Sequence, residues 1–222
     1  MTDEGVLLAI DTCTHRGVVA VGRDGALLAD AGFVTRKGAT GSLMGLVDET
    51  VRNLGLGPSS IGRLAVGVGP GTFTGVKVGV STAKALSLAL GAPLLGLSTL
   101  EILAAGARSE GTDVLATVAG GGGRYFAAFF SPGEPPPPVP GYLRVDAGSL
   151  AALAAERGAR LLLAGEADGE LTGALERAGA QFRVACLELD PRAFLELASG
   201  RMAEADTRGA VNVQPIYLRS PV

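Results

Sequence analysis

The sequence predicts an α/β protein made of two tandem subdomains with the same order of elements. Three observations lead to this prediction. The 222 residues are 47% hydrophobic and only 18% charged, which is enough apolar surface for one large domain or two small cores. Apolar runs and amphipathic stretches give the order β-β-β-α-β-α-β-α, and this order occurs twice. A glycine-dense turn also joins a strand to a helix at residues 67–79.

The first half opens with three consecutive strands. Apolar runs predict them at residues 6–10, 18–21 and 26–33, and the Asp24-Gly25 pair predicts a tight hairpin turn between the last two. Residues 36–42 are predicted to form a loop whose last residue, Ser42, caps a helix. The Ser98 and Glu101 pair is a predicted capping box. The remaining predicted elements are a helix at 43–54, a strand at 64–68, a helix at 74–90 capped by Thr72 or Thr74, a strand at 94–97 and a helix ending near 107.

The second half repeats the order. Strands are predicted at 114–119, 125–130, 142–145, 161–164 and 182–187, and helices at 149–157, 169–178 and 191–205. Residues 131–140 form a proline-rich surface loop. Three antiparallel strands followed by alternating helices and strands form a ribonuclease-H-like subdomain, and a tandem pair of them is the actin-like (ASKHA) fold. We expect subdomains at 1–109 and 110–222, with the final helix and tail able to pack back on the first half.

Composition excludes several classes of protein. The net charge of −3 does not suggest a broad nucleic-acid surface, so we expect any contact with RNA to depend on another chain. Two cysteines are too few for a disulfide framework, and one histidine is too few for a histidine-rich metal site. The acidic start is not typical of a signal peptide, and no apolar run reaches membrane-spanning length. We therefore expect a cytoplasmic protein without a metal site, although Cys13 and His15 lie close in sequence.

Asp11 and Thr12 are the candidate ligand-binding residues. They follow the first strand, where actin-like proteins meet phosphate and metal. The matching turn of the second half, Ala119–Gly123, has no carboxylate, whereas a nucleotide cleft usually takes acidic groups from both halves to hold a hydrated cation. The alternative is that Asp11 braces its own turn through its side-chain acceptor.

The stretch GVGPGTFTGVKVG, residues 67–79, suggests a phosphate loop but does not complete one. A Walker loop needs Gly-Lys-Ser/Thr, and Val76 separates Gly75 from Lys77. A dinucleotide fingerprint needs a third glycine where Thr74 stands. A strand, a flexible turn and a helix N-terminus could still bind an anion.

The helix after this turn has unusually small side chains. It either packs only on its own sheet or presents a second face to a partner chain, together with the helix at 43–54. The candidate interface residues are Leu43, Leu46, Val47, Thr50, Thr72, Phe73, Lys77, Val80 and Lys84. Lys77 opposes the helix dipole, so a carboxylate from this chain or from a partner would stabilise it.

The glycine-dense stretch resembles the GPG(S/T)FTGxRxG hallmark of the TsaB (YeaZ) family. The segments LLAIDTCT, LVDETVRNLGL, GAPLLGLSTLEILA and QPIYLRSPV resemble that family too. Two positions depart from its pattern. VAGGGGRYF stands where the family has an acidic residue, and Lys77 stands where it usually has arginine, which loses the bidentate fork.

The resemblance implies a non-catalytic scaffold subunit of bacterial tRNA modification. Such a subunit pairs with its paralogue TsaD, which holds the active site, and with the ATPase TsaE. Together they transfer threonylcarbamoyl to the adenosine beside the tRNA anticodon. The resemblance implies that ATP or ADP with magnesium belongs to the complex, that tRNA is met through it, and that a lone chain forms a homodimer. The alternatives are an actin-like ATP-binding phosphotransferase using Asp11 and, with less support, a peptidase.

Overall fold

The computed structural model describes residues 5–34, 43–107, 111–134, 136, 139–158, 160–207 and 211–218. Contacts divide these residues into two compact units. One comprises the described residues of Met1–Thr99 and Asp190–Pro215, and the other those of Leu100–Leu189 and Ile216–Val222. The predicted boundary between residues 109 and 110 stays a prediction. Within the described residues, no helix is long and apolar enough to cross a membrane.

The first unit is a five-stranded mixed sheet with helices. Its elements are β1 (Val6–Asp11), β2 (Arg16–Arg23), β3 (Ala26–Val34), α1 (Leu43–Arg52), β4 (Ile61–Gly67), α2 (Phe73–Leu90) and β5 (Leu94–Leu97), with a short 3-10 helix at Pro58–Ser60. The strand order is β3-β2-β1-β4-β5, with β1 antiparallel to β2 and parallel to β4. β1 is fully buried, which accounts for its apolar run, and β4 is buried at Ile61 and from Leu64 to Gly67.

The second unit repeats this topology. After α3 (Thr99–Ala107), its elements are β6 (Asp113–Gly121), β7 (Arg124–Phe130), β8 (Leu143–Asp146), α4 (Ala147–Glu156), β9 (Leu161–Gly165), α5 (Gly169–Arg177) and β10 (Phe182–Cys186), with a 3-10 helix at Val139–Gly141. The order β10-β9-β6-β7-β8 is the order of the first sheet, with β6 in the place of β1. The predicted fold class, two tandem ribonuclease-H-like α/β subdomains, is therefore confirmed.

The last helix belongs to the first unit. Helix α6 (Pro191–Gly200) packs against β1, β2 and β3, and Leu195 lies directly beside Gly22 of β2. The helix ends at Gly200 and a short 3-10 helix, Met202–Glu204, follows, so the predicted continuation to residue 205 is wrong. The chain leaves helical geometry at Arg201, whose φ and ψ are −112° and 9°.

Of two predicted helix caps, the one at Thr72 forms and the one at the Ser98 hydroxyl does not. The Ser98 hydroxyl is buried without a hydrogen-bond partner, so it does not form the predicted capping box. Thr72 does cap α2: its side-chain oxygen accepts a hydrogen bond from the Gly75 N–H at 3.2 Å. Ser42 and the predicted loop at 36–42 lie outside the described residues, as do positions 135, 137 and 138 of the proline-rich loop.

Candidate functional site

Asp11 closes the turn that follows β1. Its carboxylate is fully buried. Oδ1 accepts a hydrogen bond from the Cys13 N–H at 2.7 Å, and Oδ2 accepts one from the Thr99 hydroxyl at 2.8 Å. Both carboxylate oxygens thus stabilise the chain's own backbone and side chains, which is the bracing role that the sequence left open.

The same turn is tied to the glycine-dense stretch. The Thr12 hydroxyl donates to the Gly75 carbonyl at 2.5 Å, and the Cys13 carbonyl accepts the Thr72 N–H at 2.8 Å. The Cys13 thiol lies 3.4 Å from the Gly67 carbonyl oxygen. Hydrogen bonds therefore join this turn to the segment that runs from Gly67 into the first turn of α2.

Four glycines spaced four residues apart make this contact possible. A Cβ at Gly67 would overlap the Asp11 carboxylate, and Cβ atoms at Gly71 and Gly75 would overlap the backbone carbonyls of Cys13 and Thr12. At Gly79 a Cβ would lie 2.5 Å from the Thr12 hydroxyl oxygen. Glycine is required at Gly71 and Gly75 because the backbone of residues 12–13 passes too close for any side chain, and at Gly67 and Gly79 because the buried side chains of Asp11 and Thr12 occupy that space.

Asp11 and Thr12 are thus brought together as the sequence predicted, but their polar groups have partners within the chain. Their assignment to a bound nucleotide stays a prediction. The glycines that suggested a phosphate loop are in contact with the β1–β2 turn.

The environment of Cys13 makes its thiol unreactive. Burial, and next the negative charge of Asp11, raise the pKa of the Cys13 thiol well above its usual range. Little thiolate, which is the reactive form, therefore exists at neutral pH. Cys186 is only half-buried.

We expect thiol labelling with Ellman's reagent at pH 8 to modify Cys186 in the native protein and Cys13 only after unfolding. The Cys186→Ser variant should therefore give almost no native signal, and one thiol in denaturant. Fast native labelling of that variant would contradict the buried, neutral thiol.

The outward face of α2 contains large apolar side chains. Phe73 is 61% exposed and Leu88 is 68% exposed. The Lys77 Nζ lies 4.0 Å from the centroid of the Phe73 ring, a distance typical of a cation–π contact. A contiguous patch of exposed apolar groups commonly marks a surface that another protein covers, whereas single exposed apolar residues are ordinary.

Burial separates the candidate interface residues into two groups. Leu43, Val47, Thr50 and Val80 are buried in their own unit, because these faces of α1 and α2 pack on the sheet. Their place in a partner surface stays a prediction, although these four side chains already pack within the chain's own unit. Leu46 and Lys84 are half-buried, and Thr72, Phe73 and Lys77 are exposed. An interface at these helices, which stays a prediction, would use the second group together with Met44 and Leu88, two exposed residues that the sequence reasoning missed.

The second unit has a carboxylate at the turn where the sequence predicted none. β6 and β7 meet in a hairpin whose Gly121, Gly122 and Gly123 have φ of 74°, 61° and 68°. The Ala119 N–H, before this hairpin, donates to Glu166 Oε2 at 2.8 Å. Glu166 follows β9, the parallel neighbour of β6, so an acidic residue directly after that strand was the signal that could have revealed it.

A tyrosine–aspartate pair lies beside Glu166. The Tyr125 hydroxyl donates to Asp168 Oδ1 at 2.5 Å, and Asp168 also caps α5 by accepting the Leu171 N–H. The hydrogen bond from Tyr125 and then that from Leu171 lower the pKa of Asp168. Burial, together with this hydrogen bond, raises the pKa of Tyr125. The pair fixes the start of α5 next to the hairpin.

Several known proteins whose names refer to tRNA threonylcarbamoyladenosine are similar to this chain. Residues 34–131 match the family model described as TsaD, tRNA N6-adenosine threonylcarbamoyltransferase. The tRNA threonylcarbamoyladenosine biosynthesis protein TsaB of Escherichia coli is 37% identical over 114 residues, which is 50% of this chain and 49% of that protein. Bacillus subtilis TsaB is 32% identical over 102 residues, covering 46% and 44% of the two chains. The chain thus spans about half the length of the curated relatives it matches.

The structural comparison covers nearly the whole chain. YeaZ from Pseudomonas aeruginosa superposes with a TM-score of 0.74 at 26% identity, covering 96% of this chain and 100% of that one. The glycine-dense stretch, the two repeated sheets and these similarities agree. In sequence over about half its length, and in fold over nearly all of it, the chain is similar to the TsaB (YeaZ) family.

Proposed function

We propose that this chain is a non-catalytic subunit in the formation of threonylcarbamoyladenosine in tRNA. It pairs through α1 and α2 with a TsaD-type paralogue that holds the active site, and it works with a TsaE-type ATPase. The names of its TsaB relatives support the pathway, and the match of residues 34–131 to the TsaD model supports a paralogous partner. Contact with tRNA comes through the complex.

The proposal rests on one observation: the glycine-dense stretch turns its glycines inward and two large side chains outward. Its four glycines are used in close contact with Asp11–Cys13, while Phe73 and Lys77 project outward. A phosphate loop would instead direct its backbone N–H groups at a ligand. Here the Thr72 N–H bonds the Cys13 carbonyl and the Gly75 N–H bonds Thr72. This arrangement favours a structural turn that supports a binding helix.

We further propose that no nucleotide binds tightly to this chain alone, and that ATP or ADP with magnesium belongs to the assembled complex. Asp11 is the residue that a phosphotransferase would need, and its oxygens already accept hydrogen bonds from Cys13 and Thr99.

Calorimetric titration of the isolated chain with ATP and Mg²⁺ tests the proposal. We expect no binding tighter than about 1 mM, and a TsaD-type paralogue titrated into the same sample should bind in the micromolar range or tighter. Micromolar binding of ATP together with no binding of the paralogue would favour the phosphotransferase alternative and reject the scaffold role.

A further inference from the structure

The dipeptide Asp-Gly occurs twice in the sequence, at Asp24–Gly25 and at Asp168–Gly169. Both pairs lie among the described residues, so the structure shows the same two residue types in two environments. An aspartate followed by glycine can react with its own backbone, because glycine has no side chain to keep its nitrogen away from the preceding carboxyl group. The chain therefore contains an internal comparison of this reactivity.

Asp24 and Gly25 form the whole turn of the β2–β3 hairpin. The flanking residues, Arg23 and Ala26, pair with each other, and the two turn residues have φ of 53° and 81°. Asp24 is exposed, and no atom lies within 4 Å of the place where a Cβ on Gly25 would be. Within the described part of the chain, neither the Asp24 carboxylate nor the Gly25 N–H forms a hydrogen bond. No described contact thus holds the carboxyl group away from the Gly25 nitrogen.

Asp168 and Gly169 are held at the start of α5. Asp168 Oδ1 accepts hydrogen bonds from the Tyr125 hydroxyl at 2.5 Å and from the Leu171 N–H at 3.0 Å. Gly169 is the first residue of the helix. The hydrogen bond from Tyr125, and next that from Leu171, lower the pKa of Asp168, which keeps its side chain as the carboxylate, the less electrophilic form. To react, this carboxylate would have to leave both donors and uncap the helix.

We propose that Asp24 is a site of spontaneous isoaspartate formation and that Asp168 is protected from the same reaction. The Gly25 nitrogen attacks Asp24 Cγ and forms an N–Cγ bond, while the hydroxyl of the carboxyl group leaves with the amide proton as water. The product is a five-membered succinimide. Water then opens the ring at Cγ, which restores aspartate, or at the backbone carbonyl, which gives isoaspartate. One water is lost and one is regained, and the chemistry is independent of the proposed function.

Isoaspartate changes the geometry of the hairpin. The main chain then runs through Cβ and Cγ of Asp24, which lengthens the turn by one carbon atom. Turn geometry and loop length fix the register of a hairpin. β3, the strand that follows, is an edge strand and packs against α1 and α6. A changed turn therefore disturbs the pairing of β3 with β2 and should lower the stability of the first unit.

Incubation of the purified chain at neutral pH for several weeks tests the proposal. Peptide mapping with electron-transfer fragmentation distinguishes isoaspartate from aspartate at each position. We expect isoaspartate to form at Asp24 at least about tenfold faster than at Asp168, because two hydrogen bonds protect only the second carboxylate. In the chain unfolded by guanidinium chloride the two positions should react at similar rates. Equal rates in the native chain, or isoaspartate at neither position, would overturn the proposal.

Two variants separate the reaction from other changes during incubation. Asp24→Gly is the matched control, since a Gly-Gly pair suits the same turn and has no carboxyl group. Its melting temperature should stay constant during incubation, whereas that of the wild type should fall. Tyr125→Phe removes one of the two hydrogen bonds to Asp168 and should raise isoaspartate there. The proposal fails if incubated Asp24→Gly loses stability as the wild type does, or if Asp168 reacts no faster in Tyr125→Phe.

Discussion

Gly67→Ala is expected to lower the free energy of unfolding by at least about 3 kcal/mol, a large part of the stability of an ordinary domain. The new Cβ would overlap the Asp11 carboxylate, which cannot move away because it is fully buried and bonded on both oxygens. Nor can Gly67 retreat, since it pairs with Leu97 of β5 in the sheet. Urea unfolding followed by circular dichroism measures the loss.

Gly45→Ala is the matched control. Gly45 lies in α1 with open space where its Cβ would be, so alanine should add up to about 1 kcal/mol through helix propensity. If Gly67→Ala unfolded within about 1 kcal/mol of the wild type, the close contact between the glycine-dense stretch and the β1 turn would be refuted.

Phe73→Asp combined with Leu88→Asp is expected to weaken binding to a TsaD-type paralogue at least about 100-fold. Both side chains are more than half exposed, at 61% and 68%. The chain should therefore stay folded, while a charge placed in a buried interface is left unpaired. Gel filtration with light scattering, followed by calorimetry, would detect loss of the complex.

Leu187→Asp is the control for this pair, since Leu187 is 55% exposed but belongs to the second unit. It should bind like the wild type. Equal binding by the Phe73/Leu88 double variant would show that α2 does not contact the partner.

Local sequence signals predicted the fold because they agree with one another. The Asp24-Gly25 pair predicted the β2–β3 hairpin, and both residues have positive φ, 53° and 81°. Gly91 ends α2 in the left-handed region with φ of 65°. Thr72 caps the start of the same helix. Turn and cap chemistry is local, so a single sequence is sufficient to reveal it.

One miss is a local helix cap, and the others depend on contacts distant in sequence. Asp146 caps α4 through the Ser149 N–H, so the helix begins two residues earlier than its apolar pattern suggested. Glu166 reaches the β6–β7 turn only because β9 pairs with β6. The apolar stripe of α1 and α2 indicated a buried face, but the sequence could not distinguish the sheet from a partner as the neighbour. Val80, which packs inward, shows this ambiguity.

The glycine spacing is informative only in three dimensions. Intervals of four residues at 67, 71, 75 and 79 place every one of these glycines against some part of the turn Asp11–Cys13. In the sequence the same pattern resembles a phosphate loop, since both motifs need glycine for close approach of the backbone. In a phosphate loop the ligand approaches the glycines, whereas here another segment of the same chain does.

The most direct test is reconstitution of tRNA modification. The TsaD-type paralogue, the TsaE-type ATPase, threonylcarbamoyl-adenylate and tRNA would be combined with and without this chain, and threonylcarbamoyladenosine measured by mass spectrometry. We predict modification only when this chain is present, and its loss with the Phe73→Asp and Leu88→Asp variant. Undiminished modification without the chain, or modification by this chain without the paralogue, would contradict the proposed role of a non-catalytic partner subunit.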